Sequence, residues 1–74
     1  MNKEFSIRIG DSDYTFTPVN EVLTSREWRQ YWNCTIERPA QDGAGVVREI
    51  THTTTQLEVS ESEVMRAFGI RREE

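Results

Sequence analysis

Residues 27–38 read EWRQYWNCTIER. They carry both tryptophans, one of the two tyrosines and the only cysteine of the chain. Two readings compete for this stretch. As a helix, Thr24 and Glu27 would form a capping box, Leu23 and Trp28 the matching hydrophobic staple, and Trp28 and Trp32 would share one helical face. As a strand, Trp28, Trp32, Cys34 and Ile36 fall on one parity, interrupted only by Gln30. Arg29, Asn33, Thr35 and Glu37 then fall on the other, with Tyr31. The alternation persists through NCTIE, where the helical period fails, and aromatic and β-branched residues suit a pleated surface. The strand is the preferred reading, with a short helix over residues 25–32 as its competitor.

The downstream sequence favours the strand. RPAQDGAG has a loop composition, with Pro39 and the Asp42-Gly43-Ala44-Gly45 tip. VVREITHTTTQLEV then supplies a second β-rich run. Residues 27–38 are therefore expected to pair antiparallel with residues from 46 onward, around a flexible loop at 39–45. Within the second run, Val46, Ile50 and His52 share one parity, while Val47, Leu57 and Val59 share the other. One register cannot bury both sets, so a β-bulge in or near Thr51–Thr55 is expected.

Upstream, EFSIRIG alternates Phe5, Ile7 and Ile9 against Ser6 and Arg8. YTFT alternates Tyr14 and Phe16 against Thr15 and Thr17. The intervening Gly10 and DSD complete a hairpin signature. Pro18 is expected to end the second strand, because it cannot donate to a ladder. VNEVLTS, residues 19–25, reads equally as a short helical turn capped by Asn20 or as a loop.

The C-terminal segment is helical by several independent signals. Ser60 and Glu63 form a capping box, and Val59 and Val64 a staple. Glu61 and Glu63 sit at the positive end of the dipole, with Arg66, Arg71 and Arg72 toward the other end. Gly69 is placed for a left-handed stop, with Ile70 reaching back to Met65. Val64, Met65 and Phe68 form the expected buried face, with Ala67 at its edge, and residues 71–74 should fray.

The 74 residues make one small domain, 1–74, with stability on the order of 3–5 kcal/mol. A lone cysteine excludes an internal disulfide, and His52 with Cys34 makes a poor basis for a zinc site. No metal or cofactor is expected. The reducing environment implied by a single thiol, and the lack of signal-peptide and membrane-spanning runs, point to a cytoplasmic protein without a membrane partner. Thirteen acidic residues against nine basic ones give a net charge of −4, which disfavours non-specific nucleic-acid binding. All the basic residues except Lys3 are arginine, a residue suited to interfaces, although a GC-rich genome would give the same bias.

No residue set demands catalysis. His52 lies among threonines with no linked carboxylate and nucleophile, and reads as a surface or hydrogen-bonded histidine. Cys34 reads as a small buried apolar residue. The acidic pairs Asp11/Asp13 and Glu61/Glu63 have turn and capping roles. The GAG in QDGAGVV lacks the spacing of a phosphate cradle and leads into a strand. THTTT has β-propensity as its sufficient cause.

Protein binding is the remaining chemistry. Trp, Tyr and Arg carry most interface energy, and REWRQYW concentrates them. Arg29, Tyr31, Arg38 and Arg48 are expected to line one sheet face as a protein-binding patch. A single-stranded nucleic-acid surface is the alternative use of the same face, although Glu37 and Glu49 lie among or near these residues.

The opening EFSIRIGDSDYTFTPV resembles the start of small phage tail-assembly chaperone proteins, in which a first hairpin precedes helices. The resemblance implies a virion-assembly role and covers about a quarter of the chain. The β-rich remainder departs from it. Small size, acidity and missing catalytic groups also associate the chain with phage or mobile-element accessory proteins. The expected fold is α+β: an antiparallel sheet of about four strands, ordered as two hairpins, with one C-terminal helix packed across a face. The expected core is Phe5, Ile7, Tyr14, Phe16, Trp28, Trp32, Ile36, Ile50, Leu57, Val64 and Phe68. The expected function is non-enzymatic binding to another protein, with a homodimer as one form of it.

Overall fold

The computed structural model describes residues 2–71. Four strands follow one another and pair in chain order: β1 (Phe5–Ile9), β2 (Ser12–Thr24), β3 (Glu27–Pro39) and β4 (Val46–Thr55). All neighbouring strands are antiparallel. Among the described residues one helix, α1 (Glu61–Ala67), packs on one face. The expected α+β architecture is therefore present. It is a meander of three successive hairpins rather than two separate ones, because β2 and β3 also pair along their lengths.

The outer hairpins follow the predicted alternation. Phe5 faces Phe16 and Ile7 faces Tyr14 across β1 and β2, with the chain reversing at Gly10, whose φ is 62°. In β3 and β4, Gln30 to Pro39 pair with Thr55 to Val46 without a register shift. The strand reading of residues 27–38 is the observed one. The loop between them is closed by Ala40 N–H donating to Gly45 O at 3.2 Å and Ala44 N–H donating to Asp42 Oδ1 at 3.0 Å.

Residues 19–24 are neither a helical turn nor a loop but continue the strand, and Ser25 opens the turn after it. β2 runs through Pro18 to Thr24, and the chain reverses at Ser25 and Arg26, which have φ of 46° and 69°. Two consecutive left-handed residues make the tight turn whose twist matches that of the flanking strands. The Thr24/Glu27 and Leu23/Trp28 pairs that suggested a helix start are cross-strand partners around this turn. A capping box and a two-residue hairpin share the same sequence separations, which explains the ambiguity. Pro18 is tolerated because β2 has already passed the end of β1 and because the register shifts between Pro18 and Asn20. Sheet edges and bulges are the places where a proline disrupts no ladder. The bulge is therefore in β2, and none occurs at Thr51–Thr55. The phase conflict downstream is resolved by termination: β4 stops at Thr55, and Leu57 and Val59 lie beyond it.

The core is on the face shared by Phe16, Trp32 and Cys34, all with no more than 1% exposure, and is closed by Val64 of α1. Phe5 stacks on Phe16 with centroids 4.7 Å apart, Trp32 meets Phe5 edge-on, and Phe68 tilts onto Phe16 at 5.6 Å. Ile7, Tyr14, Ile36, Val59, Met65 and Ile70 pack around this cluster. Burying Val64 fully contributes about 1.5–3 kcal/mol, a large share for so small a domain.

The helix ends follow the sequence signals. Glu63 N–H donates to Ser60 Oγ, and Ser60 N–H donates to Glu63 Oε1. At the other end Gly69 N–H donates to Arg66 O and Ile70 N–H to Met65 O, both at 2.9 Å, with Gly69 at φ 78°. This is a complete Schellman ending. The fraying expected at 71–74 falls, apart from Arg71, outside the described residues.

Three expected core residues are exposed. Ile50 has the parity of Val46 and His52 and points to the face that no helix covers. Leu57 follows the end of β4 in the link to α1. Trp28 has the correct parity but lies beyond Gln30, the last β3 residue paired with β4.

Candidate functional site

β2 and β3 outrun their neighbours. β1 pairs only as far as Phe16 on β2, and β4 only as far as Gln30 on β3. The rest of this central hairpin is a two-stranded arm, and it stretches the molecule to 46 Å along its longest axis. Near its tip Leu23 faces Trp28, and the two are 59% and 55% exposed. They stand on the same face as the core. On the opposite face of the arm Val22 faces Arg29, and Asn20 faces Tyr31.

Of the four residues expected to form one patch, the structure brings two together. Arg29 and Tyr31 lie on adjacent outward positions at the base of the arm. Arg48 shares their face but sits opposite Glu37, toward the far end of β3. Eight residues of strand separate Arg29 from Glu37, or about 26 Å. Arg38 does not belong to the patch. Its parity is that of Cys34 and Ile36, so it lies on the helix-bearing side of the sheet, and it reaches Glu49 on the same side.

Each of these arginines is already engaged. Arg48 Nη2 lies 2.6 Å from Glu37 Oε2, and Arg38 Nη2 lies 2.8 Å from Glu49 Oε2. The adjacent Glu37-Arg38 of β3 and Arg48-Glu49 of β4 thus put one ion pair on each face. The Arg38 and Glu49 shifts agree in sense: the hydrogen bond and charge of Glu49 raise the guanidinium's pKa, and those of Arg38 lower the carboxyl's. Both groups are solvent-exposed, where such pairs contribute little to stability. Arg29 donates from Nε to Thr54 Oγ1 at 2.9 Å and from Nη2 to Thr54 O at 3.2 Å, and approaches Glu27 at 3.6 Å. Tyr31 stacks on His52 with centroids 5.6 Å apart and planes 11° from parallel. His52 Nδ1 is in turn 2.6 Å from Asn33 Oδ1.

The thiol of Cys34 is buried. Desolvation pushes its pKa up from 9.0 to about 11, against a smaller opposing effect of the Thr51 hydrogen bond. It is a packed apolar group with a protonated sulfur. Among the described residues no group of His, Cys, Asp and Glu is placed to hold a metal ion. No described helix is long and apolar enough to cross a membrane.

Sequence reasoning missed Leu23 and Trp28 as surface residues. A signal for Trp28 was present in the lengths. A helix of seven residues is about 10 Å long, whereas a strand of thirteen spans about 43 Å. So short a helix cannot cover Trp28 and Ile36 at once.

No family model matches the chain, and neither a curated protein nor a solved structure matches it.

Proposed function

We propose that the protein is a non-enzymatic protein-binding module that grips its partner with the β2–β3 arm. The observation that carries this reading is the Leu23–Trp28 pair, two large apolar side chains set side by side at the end of a projecting ribbon and more than half exposed. A ribbon offers both faces to a cleft. Trp28 and Leu23 would supply the apolar anchor on one side, and Arg29 with Tyr31 the polar and aromatic contacts on the other. Aromatic and arginine anchors surrounded by weaker contacts are the usual distribution of interface energy. The bound protein is a structural component of a virion if the tail-assembly resemblance reflects function, and another cytosolic protein otherwise.

The charge distribution supports protein over nucleic acid. Arg8, Arg29 and Arg48, on the face without a helix, each have a carboxylate within 4 Å: Asp13, Glu27 and Glu37. A backbone-tracking surface needs uncompensated cations.

The test is capture from the native host followed by titration of the captured protein in recombinant form. Trp28→Ala, and separately Arg29→Ala/Tyr31→Ala, should weaken binding by about 2 kcal/mol or more, roughly thirtyfold. A partner bound equally well by both variants would remove the arm from consideration. Affinity for single strands that falls steeply with salt would instead establish the nucleic-acid alternative.

A further inference from the structure

β4 is an edge strand, and among the described residues no strand lies beyond it. It is ten residues long and contains neither lysine nor proline, two devices that commonly stop sheet edges from pairing. Its two charged residues are drawn inward, Arg48 to Glu37 and Glu49 to Arg38. Val46 and Ile50 are left 68% and 54% exposed on the uncovered face. These are the properties of an edge prepared to continue the sheet.

We propose that β4 pairs antiparallel with β4 of a second copy of this chain, joining the two sheets across a two-fold axis. The contact runs along β4, next to the Arg29–Thr54 and Tyr31–His52 contacts at the base of the arm, and does not rest on the function proposed above. The pleat limits the choice of register, because facing residues must point to the same side. A dyad through Arg48 or Glu49 sets like charges face to face, which is destabilising. A dyad through Ile50 avoids this. Ile50 then meets its own mate, Glu49 faces the second copy's Thr51, Arg48 faces its His52 and Val46 faces its Thr54. Moving the dyad to Thr51 would place Ile50 against His52 and lose the apolar contact. The charge pattern and the burial of Ile50 therefore select one register. Whichever alternate amides face outward, both copies present the same set, and this register pairs the set with itself.

Sedimentation equilibrium of the full chain should show a dimer. Ile50→Lys places a charge at the dyad and should yield a monomer with an unchanged circular dichroism spectrum, because Ile50 is exposed. Trp28→Ala should leave the dimer intact. Ile50→Cys should form an intermolecular disulfide on mild oxidation, since facing Cα atoms in an antiparallel pair lie about 4.5–5.5 Å apart, within disulfide range. Thr54→Cys should not, because its two copies sit at opposite ends of the seam. The proposal is overturned by a chain that stays monomeric up to about 1 mM, by a dimer that survives Ile50→Lys, by dissociation through Trp28→Ala, or by cross-linking at position 54 instead of 50.

Discussion

The indole N–H of Trp32 donates to Thr55 Oγ1 at 2.9 Å, and the Thr55 hydroxyl donates onward to Gln56 O at 2.8 Å. Both residues are buried. This short chain of hydrogen bonds fastens the last residue of β4 to the centre of β3, just before the link into α1. Thr55→Val keeps the volume but removes the acceptor, leaving the indole N–H buried and unpaired. The expected cost is about 1–3 kcal/mol, measured by urea unfolding. Thr55→Ser retains the hydroxyl and should recover most of it.

The two tryptophans should behave oppositely. Trp32→Ala removes a fully buried aromatic, which typically costs about 3–5 kcal/mol, comparable with the whole stability of a domain this size. That variant should be unfolded. Trp28→Ala should remain folded, with a loss below about 1 kcal/mol. In Trp32→Phe the remaining fluorescence should be red-shifted and quenched freely by iodide, and in Trp28→Phe it should be blue-shifted and protected.

The turn at Ser25 and Arg26 holds two non-glycine residues in the left-handed region. An Asn-Gly pair suits that geometry far better. Ser25→Asn/Arg26→Gly should raise stability by about 1 kcal/mol, seen as a higher urea midpoint with an unchanged slope. A lower midpoint would show that the arm reverses by another geometry.

Cys34 gives a pH dependence of known sign. Below pH 9 the thiol is protonated in both folded and unfolded chains and contributes no slope. Between pH 9 and about 11 the unfolded chain releases this proton while the folded one retains it. Stability should therefore fall as pH rises through that window, by about 2–3 kcal/mol at its end. Cys34→Ala should lack this component. At pH 8 the native thiol should react with a disulfide reagent only at the rate of unfolding.

The legible parts of the sequence were those where local chemistry and tertiary outcome agree. Phe5, Ile7, Tyr14 and Phe16 alternate cleanly because β1 and β2 bury one face there. Ser60, Glu63 and Gly69 specify both ends of α1 without reference to the rest of the chain. The central hairpin was hidden for three physical reasons. Its turn has no glycine, its bulge breaks the alternation after Pro18, and its pairings mimic the spacing of a helix cap. The proposed binding patch was only half legible. Parity along β3 puts Arg29 and Tyr31 together but Arg38 on the other side, so the expectation that Arg38 shares their face goes against the alternation itself. Parity carries no information on length, and length is what strands Trp28 beyond the cover of α1 and separates Arg48 from Arg29.

The strand order has a consequence for how the chain acquires its shape. Each strand pairs only with its neighbours in sequence, so no segment must wait for a distant one before it can zip. Hairpins form in about 1–10 μs, and β proteins whose pairings are this local escape the long loop closures that slow sandwiches and barrels. The sheet can grow from its central hairpin outward in both directions. The contacts that join remote parts of the chain, those of Val64 and Phe68 with Phe16 and of Asn2 with Gln30 and Leu57, need the sheet in place before they can form.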